Sequence, residues 1–537
     1  MFTSEDLIQK KDDCFRAPLW VKLQLDLSKS FKTIQSSVMK KNTISILLVV
    51  VFSFLNQSGY SQRRSLKRGV SYNISYTEDL PALSTGVSWF YNWGTSPNSS
   101  IDNVYNKYME YCPMAWNGVN ADALRAFKKN HSEAKYILAF NEPNLTDQAN
   151  MTPAQAATKW PDLKSIATEL NLKIISPAMN FGTLSGYDDP NKWLDEFFKL
   201  VPISDIDGIA IHTYMNDPGA VTWYVGLFAK YKKPIWVTEF CGWEYNPPLT
   251  SVGYTYQRDA MVQKIEALEL NPQVVKYAWF IPRYKNDGDY PYMQLLKNVQ
   301  GTVPAGTLTE LGQIYVNMST FDSTRFYGVN EKIAAKDYMK SFRVKLEAST
   351  DLASTIPIQL GSFDSGSFAE YFINVPIARQ YPLTLRIANT AGVNPTFKIT
   401  FNGVDSVTQT VPSTGGVNSW DTRTINVDLP AGNQTLRVTS MGSTGVKMQW
   451  LSLTNITGIN EVQRPHLRIF IDKNQLLQIL YNEKIVKSTV FDVRGKMLLQ
   501  QTSEHQINAT TLENGVYILQ TQLENGAITS DKFIVIK

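Results

Sequence analysis

Two glutamates that follow runs of apolar residues carry the strongest chemical signal in this 537-residue chain. Glu142 follows the run Tyr136–Asn141, and Glu239 lies near the end of the run Ile235–Phe240. Both runs have the composition of buried parallel strands, whose carboxyl ends meet at one face of a barrel. Two carboxyl groups there can hydrolyse a glycosidic bond, since one protonates the leaving oxygen while the other stabilises or attacks the anomeric carbon. The sequence therefore predicts that Glu142 and Glu239 are catalytic residues.

Polar and aromatic side chains at the other strand ends are predicted to bind the substrate. Asn141 lies beside Glu142, where its amide can hydrogen-bond a sugar hydroxyl. His212 and Tyr214 end the strand before Glu239 and can keep its carboxylate ionised. Rings that could stack on sugars follow other strands: Trp89, Tyr91, Trp93, Trp116 and Trp279. Part of this set must pack in the core, because alternate residues of a strand face opposite sides.

The two carboxyl groups are expected to differ in protonation, because like charges at close range do not both ionise easily. With His212 and Tyr214 nearby, Glu239 should have more hydrogen-bond donors than Glu142 and should stay ionised. Glu142 should then have the raised pKa and act as the acid.

Strands alternate with helices from Gly86 to Tyr315, the pattern of an α/β fold of the (β/α)8 TIM-like barrel type. Thr152 followed by Pro153 predicts a helix start, with Thr as N-cap and Pro in the first turn. Seven strand-like runs are clear: Val87–Trp93, Tyr111–Ala115, Tyr136–Asn141, Lys173–Ala178, Gly208–His212, Ile235–Phe240 and Lys276–Phe280. The eighth is not evident, so the barrel either has one shortened unit or contains a strand with a weak signal.

Two β-rich regions follow the barrel. Between residues 326 and 455 the helical periodicity disappears, and short strands separated by turns such as Asn402-Gly403 predict a β-sandwich. From residue 466 to residue 537, apolar runs of period two are broken by turns such as Asn514-Gly515. These runs predict a second, small C-terminal β-sandwich.

The N-terminal end carries a secretory signal. Met39-Lys40-Lys41 is followed by an apolar run from Ile44 to Leu55, which is shorter than the about 20 residues of a membrane span. An uncleaved anchor is the alternative. We expect translation to start at Met39, so that residues 1–38 are an over-extended gene prediction. The predicted division is 1–38 upstream extension, 39–61 signal peptide, 62–83 linker, 84–327 barrel, 328–456 sandwich, 457–465 linker and 466–537 C-terminal domain.

Composition argues against several classes of function. The chain has 52 basic and 48 acidic residues with no dense Lys/Arg stripe, so nucleic-acid binding is not expected. It has four His and no Cys/His cluster with metal-ligand spacing, so we expect no metal site. Cys112 and Cys241 would survive signal cleavage, and the sequence leaves open whether they are buried thiols or a bridge.

The barrel region resembles glycoside hydrolase family 128, whose members act on β-1,3-glucans. The resemblance extends through most of residues 86–320 and rests on four segments: Ser88–Trp93, Phe140–Asn144, Asp207–Tyr214 and Trp236–Phe240. It implies a retaining mechanism on a somewhat reduced barrel. Glu142 would be the general acid/base and Glu239 the nucleophile.

The first sandwich resembles carbohydrate-binding module family 6. The matching segments are Lys332–Tyr338, Gly366–Tyr371, Pro382–Arg386, Leu429–Gly432 and Met448–Leu451. The resemblance implies sugar binding, with Phe363 and Trp420 as stacking candidates. Ala334 and Lys336 stand where the family usually has acidic residues, and Gln449 stands where it favours a sugar-contacting Asn. A structural calcium ion is therefore disfavoured though left open, and we otherwise expect no cofactor.

The C-terminal domain resembles the type IX secretion sorting domain of Bacteroidota. The matching segments are Phe491–Lys496, Leu512–Tyr517 and Lys532–Lys537. The resemblance implies passage across the outer membrane by the type IX machinery, followed by release or attachment at the cell surface.

These features predict a secreted, monomeric endo-β-1,3-glucanase whose partners are the polysaccharide and the type IX secretion machinery. One alternative is a retaining barrel hydrolase acting on another β-glycan, such as a mannan or a galactan. The other is a non-catalytic surface glycan-binding protein. Glu142 and Glu239 together with Asn141 argue against the second alternative, since a binding protein has no use for two clustered carboxylates.

Overall fold

A computed structural model describes residues 64–242, 249–284, 292–361, 363–442, 445–455, 468–471, 476–480, 484–502, 506–524, 526 and 528–535. The predicted upstream extension, the signal peptide and the 457–465 linker lie outside the described residues. Among the helices of the described ranges, none is both long enough and apolar enough to cross a membrane.

Eight parallel strands form a closed barrel. They are β1 (Arg68–Ser71), β2 (Trp89–Tyr91), β3 (Glu110–Tyr111), β4 (Tyr136–Leu138), β5 (Lys173–Ile175), β6 (Ile209–Thr213), β7 (Ile235–Phe240) and β8 (Val274–Trp279). Ladders join them in the orders β3-β2-β1-β8-β7-β6 and β4-β5. Parallel bridges from Met114 to Leu138 and from Ile175 to Gly208 connect the two sheets and close the ring. The predicted TIM-like barrel is confirmed. Its unit between β2 and β3 is short, with only a 3-10 helix at Tyr105–Lys107 in place of an α-helix.

The strand without a clear sequence signal is β1, which lies inside the segment 62–83 that we predicted to be a linker. Val70 is its only aliphatic residue, and Arg68 is fully buried. Arg68 Nη2 donates to Ser319 O at 2.7 Å, and the guanidinium lies 3.6 Å from the carboxylate of Glu269. A Cβ atom on Gly69 would lie 2.3 Å from Trp89 Nε1, so this strand accepts only glycine there. The linker prediction is thus corrected, because polar partners rather than apolar residues bury this strand.

The helices of the described residues surround the barrel. They are α1 (Asp79–Ser84), α2 (Ala121–Asn130), α3 (Pro153–Glu169), α4 (Pro190–Leu200), α5 (Pro218–Leu227), α6 (Leu249–Leu270) and α7 (Glu310–Asn317). The predicted start of α3 is confirmed, since Thr152 and Gln155 form a reciprocal capping box.

Two buried layers hold the barrel together. Its interior is a separate cluster that includes Trp89, Cys112, Leu138 and Trp236. A second layer packs the outer faces of the strands against the helices. Cys112 and Cys241 are both buried free thiols, so no bridge joins them.

The first β-rich region is a two-sheet sandwich. Its strands are β9 (Tyr327–Gly328), β10 (Ile333–Ala334), β11 (Lys340–Phe342), β12 (Lys345–Ala348), β13 (Ile358–Gly361), β14 (Phe368–Val375), β15 (Arg379–Asn389), β16 (Thr396–Phe401), β17 (Val404–Thr410), β18 (Gly416–Leu429), β19 (Gly432–Met441) and β20 (Lys447–Leu453). One sheet has the order β12-β13-β20-β15-β18 with β10 paired to β20, and the other has the order β11-β14-β19-β16-β17 with β9 paired to β14.

This sandwich packs directly on the barrel. One hydrophobic cluster continues from the barrel into the sandwich, and the rings of Phe321 and Tyr338 lie 6.0 Å apart within it. Polar contacts frame this packing, since the Glu266 carboxylate accepts hydrogen bonds from both the backbone N–H and the hydroxyl of Ser341. The Glu310 carboxylate accepts the backbone N–H of Ala348 at 3.1 Å. The barrel and the sandwich therefore share one core.

The C-terminal region folds around a core of its own. Its strands are β21 (Arg468–Ile471), β22 (Leu476–Leu480), β23 (Ile485–Asp492), β24 (Met497–Thr502), β25 (Gln506–Asn508), β26 (Gly515–Leu523) and β27 (Ile528–Val535). They form sheets of order β21-β22-β25 and β24-β23-β26-β27. The core of this domain, which includes Leu477, Val490 and Leu519, is separate from the barrel–sandwich cluster.

Candidate active site

Local irregularities turn both glutamates toward the top of the barrel. Glu142 has a φ of 42°, in the left-handed region that non-glycine residues seldom adopt. On β7, Val237 pairs with Ile211 and Glu239 pairs with His212, so Thr238 is an extra bulged residue. Trp236 faces the barrel interior, so regular alternation along the strand would point Glu239 outward. The extra residue shifts the alternation by one position, and Glu239 points inward.

Three neutral donors hold the Glu239 carboxylate. Tyr91 Oη and Trp93 Nε1 each donate to Glu239 Oε1 at 2.8 Å, and the Tyr214 hydroxyl donates to Oε2. Glu239 is 4% exposed, so these bonds replace most of its hydration. A buried carboxylate with donors on both oxygens is fixed in orientation. The predicted placement of Tyr214 beside Glu239 is confirmed.

Glu142 has a histidine and an asparagine as partners instead. His212 Nδ1 donates to Glu142 Oε1 at 2.8 Å, and Asn180 Nδ2 donates to the same oxygen at 3.0 Å. Burial opposes ionisation of Glu142, but the positive charge and hydrogen bond of His212 and the amide of Asn180 outweigh it, so the pKa of Glu142 is lowered. Burial also opposes protonation of His212, but the charges of Glu239 and Glu142 outweigh it and raise the pKa of His212.

Two expectations about this pair are therefore wrong. His212 forms its hydrogen bond with Glu142 rather than with Glu239. The pKa of Glu142 is lowered rather than raised, because the histidine predicted to stabilise the other carboxylate stabilises this one.

His212 also brings the two carboxylates close together. Its Nδ1 atom lies 2.8 Å from Glu142 Oε1 and 3.6 Å from Glu239 Oε2. Since both contacts share one nitrogen, these two oxygens are at most about 6.4 Å apart.

The carboxylates lie in a cleft of about 560 Å³ at the C-terminal face of the barrel. The cleft is lined by Trp93, Trp116, Asn141, Glu142, Leu145, Asp147, Gln148, Asn180, Tyr214, Glu239 and Phe280. The structure thus brings together seven elements of the sequence prediction: Glu142, Glu239, Asn141, Trp93, Trp116, Tyr214 and, in contact with both carboxylates, His212.

Several predicted substrate-binding rings are instead buried. Trp89 packs against Trp236 inside the barrel, and Trp279 packs against Phe240 on the outer side of the strands. Both are fully buried, so their assignment as sugar platforms is wrong. Tyr91 is equally buried and binds Glu239 through its hydroxyl, which makes it a support of the carboxylate rather than a sugar contact.

Asn180 is the functional residue that sequence reasoning missed. It follows β5 as Asn141 follows β4, and its amide binds Glu142. A polar residue just after the run Lys173–Ala178 was the available signal. Asn141 itself donates from Nδ2 to Gln148 Oε1 at 3.1 Å, while its buried Oδ1 has no partner among the described residues.

The sugar-binding candidates of the sandwich do not form one site. Phe363 is fully buried, so its assignment as a stacking residue is wrong. Trp420 is half-buried and donates from Nε1 to Thr350 Oγ1 at 3.1 Å. Gln449 is buried, and its amide accepts from Ser349 and donates to Ser354 and to Ile356 O. In the described ranges, no three His, Cys, Asp or Glu side chains are grouped to hold a metal ion.

Three family models match consecutive parts of the chain. Residues 69–315 match a glycosyl hydrolase catalytic core, residues 334–455 match carbohydrate binding module family 6, and residues 473–537 match a secretion system C-terminal sorting domain. These matches confirm the three predicted domain types in their predicted order.

Solved structures identify the glycoside hydrolase family to which the barrel region is similar. The chain is 37% identical to a subgroup II endo-β-1,3-glucanase of glycoside hydrolase family 128 from Pseudomonas viridiflava, covering 98% of that chain and 47% of this one with a TM-score of 0.42. The chain belongs to glycoside hydrolase family 128. A subgroup II endo-β-1,3-glucanase of family 128 from Sorangium cellulosum is 33% identical, with 97% of that chain and 47% of this one covered and a TM-score of 0.40. As a family 128 member, the protein is a glycoside hydrolase.

A fungal relative matches the same region. Alkali-sensitive linkage protein 1 of Schizosaccharomyces pombe is 26% identical over 268 residues, which are 47% of this chain. The chain spans only 44% of that relative's length.

Proposed function

We propose that this protein is a secreted endo-β-1,3-glucanase that hydrolyses its substrate with retention of anomeric configuration. The observation that supports the mechanism is that Glu142 and Glu239 each have an oxygen close to the same His212 nitrogen, so that both carboxyl groups face one point of the cleft. Retaining enzymes hold the two carboxyl groups about 5–5.5 Å apart so that one can attack the anomeric carbon directly. The substrate class rests on the two subgroup II relatives of family 128 described above, which are endo-β-1,3-glucanases.

In the first step Glu142 gives its proton to the glycosidic oxygen while a Glu239 oxygen forms a bond to the anomeric carbon. The glycosidic bond breaks, the shortened glucan leaves as an alcohol, and a glycosyl ester remains on Glu239. In the second step Glu142 takes a proton from water, the water oxygen bonds to the anomeric carbon, and Glu239 leaves as a carboxylate. Tyr91, Trp93 and Tyr214 orient that carboxylate before the first step and receive it again after the second.

The lowered pKa of Glu142 is compatible with an acid role because the neighbouring His212 can hold the proton that Glu142 donates. His212 Nδ1 lies 2.8 Å from Glu142 Oε1, so a proton that the pair shares can pass to Glu142 when the glycosidic oxygen arrives. The His212–Glu142 pair therefore acts as one titrating unit that holds one proton.

Asn141 is proposed to bind the sugar in the cleft. Its Nδ2 is occupied by Gln148, and its Oδ1 is left as a buried acceptor. An unpaired buried acceptor is costly, so a sugar hydroxyl that donates to it gains free energy on binding.

The C-terminal domain implies secretion through the type IX system. We propose a cleaved signal peptide at 39–61 for the preceding step. N-terminal sequencing of exported protein should give a start near Gln62, and a start upstream of Met39 would contradict the proposed translation start.

The substrate is tested by a reducing-sugar assay on matched polysaccharides. We expect release of reducing ends from β-1,3-glucan and little release from β-1,4-mannan or galactan. Activity confined to mannan or galactan would replace the substrate assignment, and no activity on any β-glycan would favour a binding protein.

A further inference from the structure

One exposed aromatic residue, the chain neighbour of the cleft residue Asn180, has no part in the mechanism above. Phe181 follows Asn180 after β5, and 47% of its surface is exposed. One side of its ring packs on the buried Tyr224, with centroids 5.3 Å apart. A single exposed ring is ordinary on a protein surface, so the position of this one is what matters.

Phe181 is tied to Glu142 through one side chain. Asn180 Nδ2 donates to Glu142 Oε1 at 3.0 Å, and Asn180 Oδ1 accepts the backbone N–H of Phe181 at 2.8 Å. Tyr224, on which the ring packs, is itself fixed by a hydrogen bond from its hydroxyl to Met179 O at 3.1 Å. The ring is therefore held in place both through its backbone and through one side of the ring.

The chemistry assigns a substrate position to the Glu142 side of the cleft, where Asn180 also lies. A general acid must lie within about 2.6–3.2 Å of the oxygen that it protonates, so the departing sugar extends past Glu142 and away from Glu239. The rings near Glu239 form a separate group, since Trp93 and Tyr214 both pack against Phe280, at 5.9 and 5.7 Å.

We propose that Phe181 is the stacking platform for the glucose units on the leaving-group side of the scissile bond. The apolar face of a pyranose can pack on the exposed side of the ring, as sugar rings do on aromatic side chains. This proposal rests on the proposed function of Glu142 as the acid. It predicts that Phe181 contributes to binding and positioning only when the leaving group is itself a sugar.

The test compares two leaving groups in one enzyme. Phe181→Ala should lower kcat/KM on laminari-oligosaccharides about tenfold, mainly through KM, the size expected from loss of one aromatic stacking contact. Its kcat/KM on an aryl β-laminaribioside, whose leaving group carries no sugar, should stay within about twofold. Phe181→Trp should retain oligosaccharide activity. Phe342→Ala removes a phenylalanine of similar exposure, 48%, from the sandwich and should change neither substrate.

Equal loss on both substrates would make Phe181 a structural support, and no loss on either would remove it from the substrate path. Either result would overturn the proposal. The wild-type enzyme is first assayed on each β-glycan, and the comparison then uses oligosaccharides and aryl glycosides of the glycan that it hydrolyses. A wrong substrate assignment is therefore seen before any variant is measured and does not decide the role of Phe181.

Discussion

At the scale of single residues, the pairing of His212 with Glu142 sets the expected pH dependence. The pair loses its shared proton only as the pH rises through the raised pKa of His212, so the basic limb of kcat/KM should report that group. In His212→Gln, the buried Glu142 must hold the proton alone, and the basic limb should move to lower pH. The maximal rate should fall by about 10²-fold, within the range for general acid–base groups.

The control for this prediction is His131→Gln. His131 is also buried and lies 2.9 Å from a carboxylate, that of Asp102, but outside the cleft. Its replacement should leave the pH profile in place. If the basic limb of kcat/KM is unchanged in His212→Gln, His212 does not hold the proton that Glu142 donates.

The same scale shows what the sequence could predict at the site. Residue types at strand ends were sufficient to predict that Glu142, Glu239 and Tyr214 lie in the cleft. The end of a strand determines which face of the barrel a residue occupies. They were not sufficient to show that Trp89 and Trp279 are buried. Along a strand, side chains alternate between the barrel interior and the layer under the helices, and both of these are apolar.

At the scale of elements, a bulge and an unrecognised strand account for the remaining differences between the sequence predictions and the structure. The bulge at Thr238 reverses the alternation of β7, and period-two patterns contain no sign of such an extra residue. Strand β1 has one aliphatic residue and is buried through the contacts of Arg68 with Ser319 and Glu269. These partners are about 200 or more residues away along the chain, so local pattern could not reveal them.

The contact between α6 and β11 should make stability depend on pH. Burial raises the pKa of Glu266, although hydrogen bonds from Ser341 oppose this shift. A raised folded-state pKa contributes stability that is present below the unfolded-state pKa and is lost as the pH rises through the folded-state value. Glu266→Gln stays neutral, so its free energy of unfolding relative to the wild type should improve between pH 4 and pH 8.

Urea unfolding at the two pH values measures this difference. Glu310→Gln changes an exposed carboxylate in the same domain contact and should show no comparable improvement. Glu266→Ala should cost about 1 kcal/mol at both pH values, because it leaves two half-buried donors of Ser341 without their partner. A constant difference between the wild type and Glu266→Gln would show that the pKa of Glu266 is not raised in the folded state.

At the scale of the whole molecule, the division of the hydrophobic core predicts which truncations are tolerated. The C-terminal domain has its own core, so ending the chain at Pro465 should leave the Tm of the remainder within about 2 °C. Ending it at Tyr327 removes the sandwich that packs on Phe321 and should lower the Tm of the barrel by several times as much. Calorimetry should accordingly give one transition for the barrel and sandwich together.

The truncation at Pro465 also tests export. The enzyme should remain active in lysates yet fail to reach the medium or the cell surface, because the sorting domain is missing. Export of the truncated protein would contradict the role of the domain. The sequence predicted this modular order well, since the pattern changes from α/β to all-β after the barrel and the predicted 457–465 linker separates the two all-β domains. The shared core of barrel and sandwich depends on tertiary contacts that a local pattern does not contain.

The separate roles of Glu142 and Glu239 are tested most directly by azide capture with an aryl β-glucoside. In Glu142→Ala the glycosyl ester on Glu239 still forms from an activated substrate, and azide should trap it as the β-glycosyl azide. In Glu239→Ala azide should attack in place of the missing carboxylate and give the α-glycosyl azide. Asp147→Ala, which removes a third carboxylate of the cleft, should give neither product. Exchanged anomers would reverse the two roles, and an inverted product from the wild-type enzyme would contradict the retaining mechanism itself.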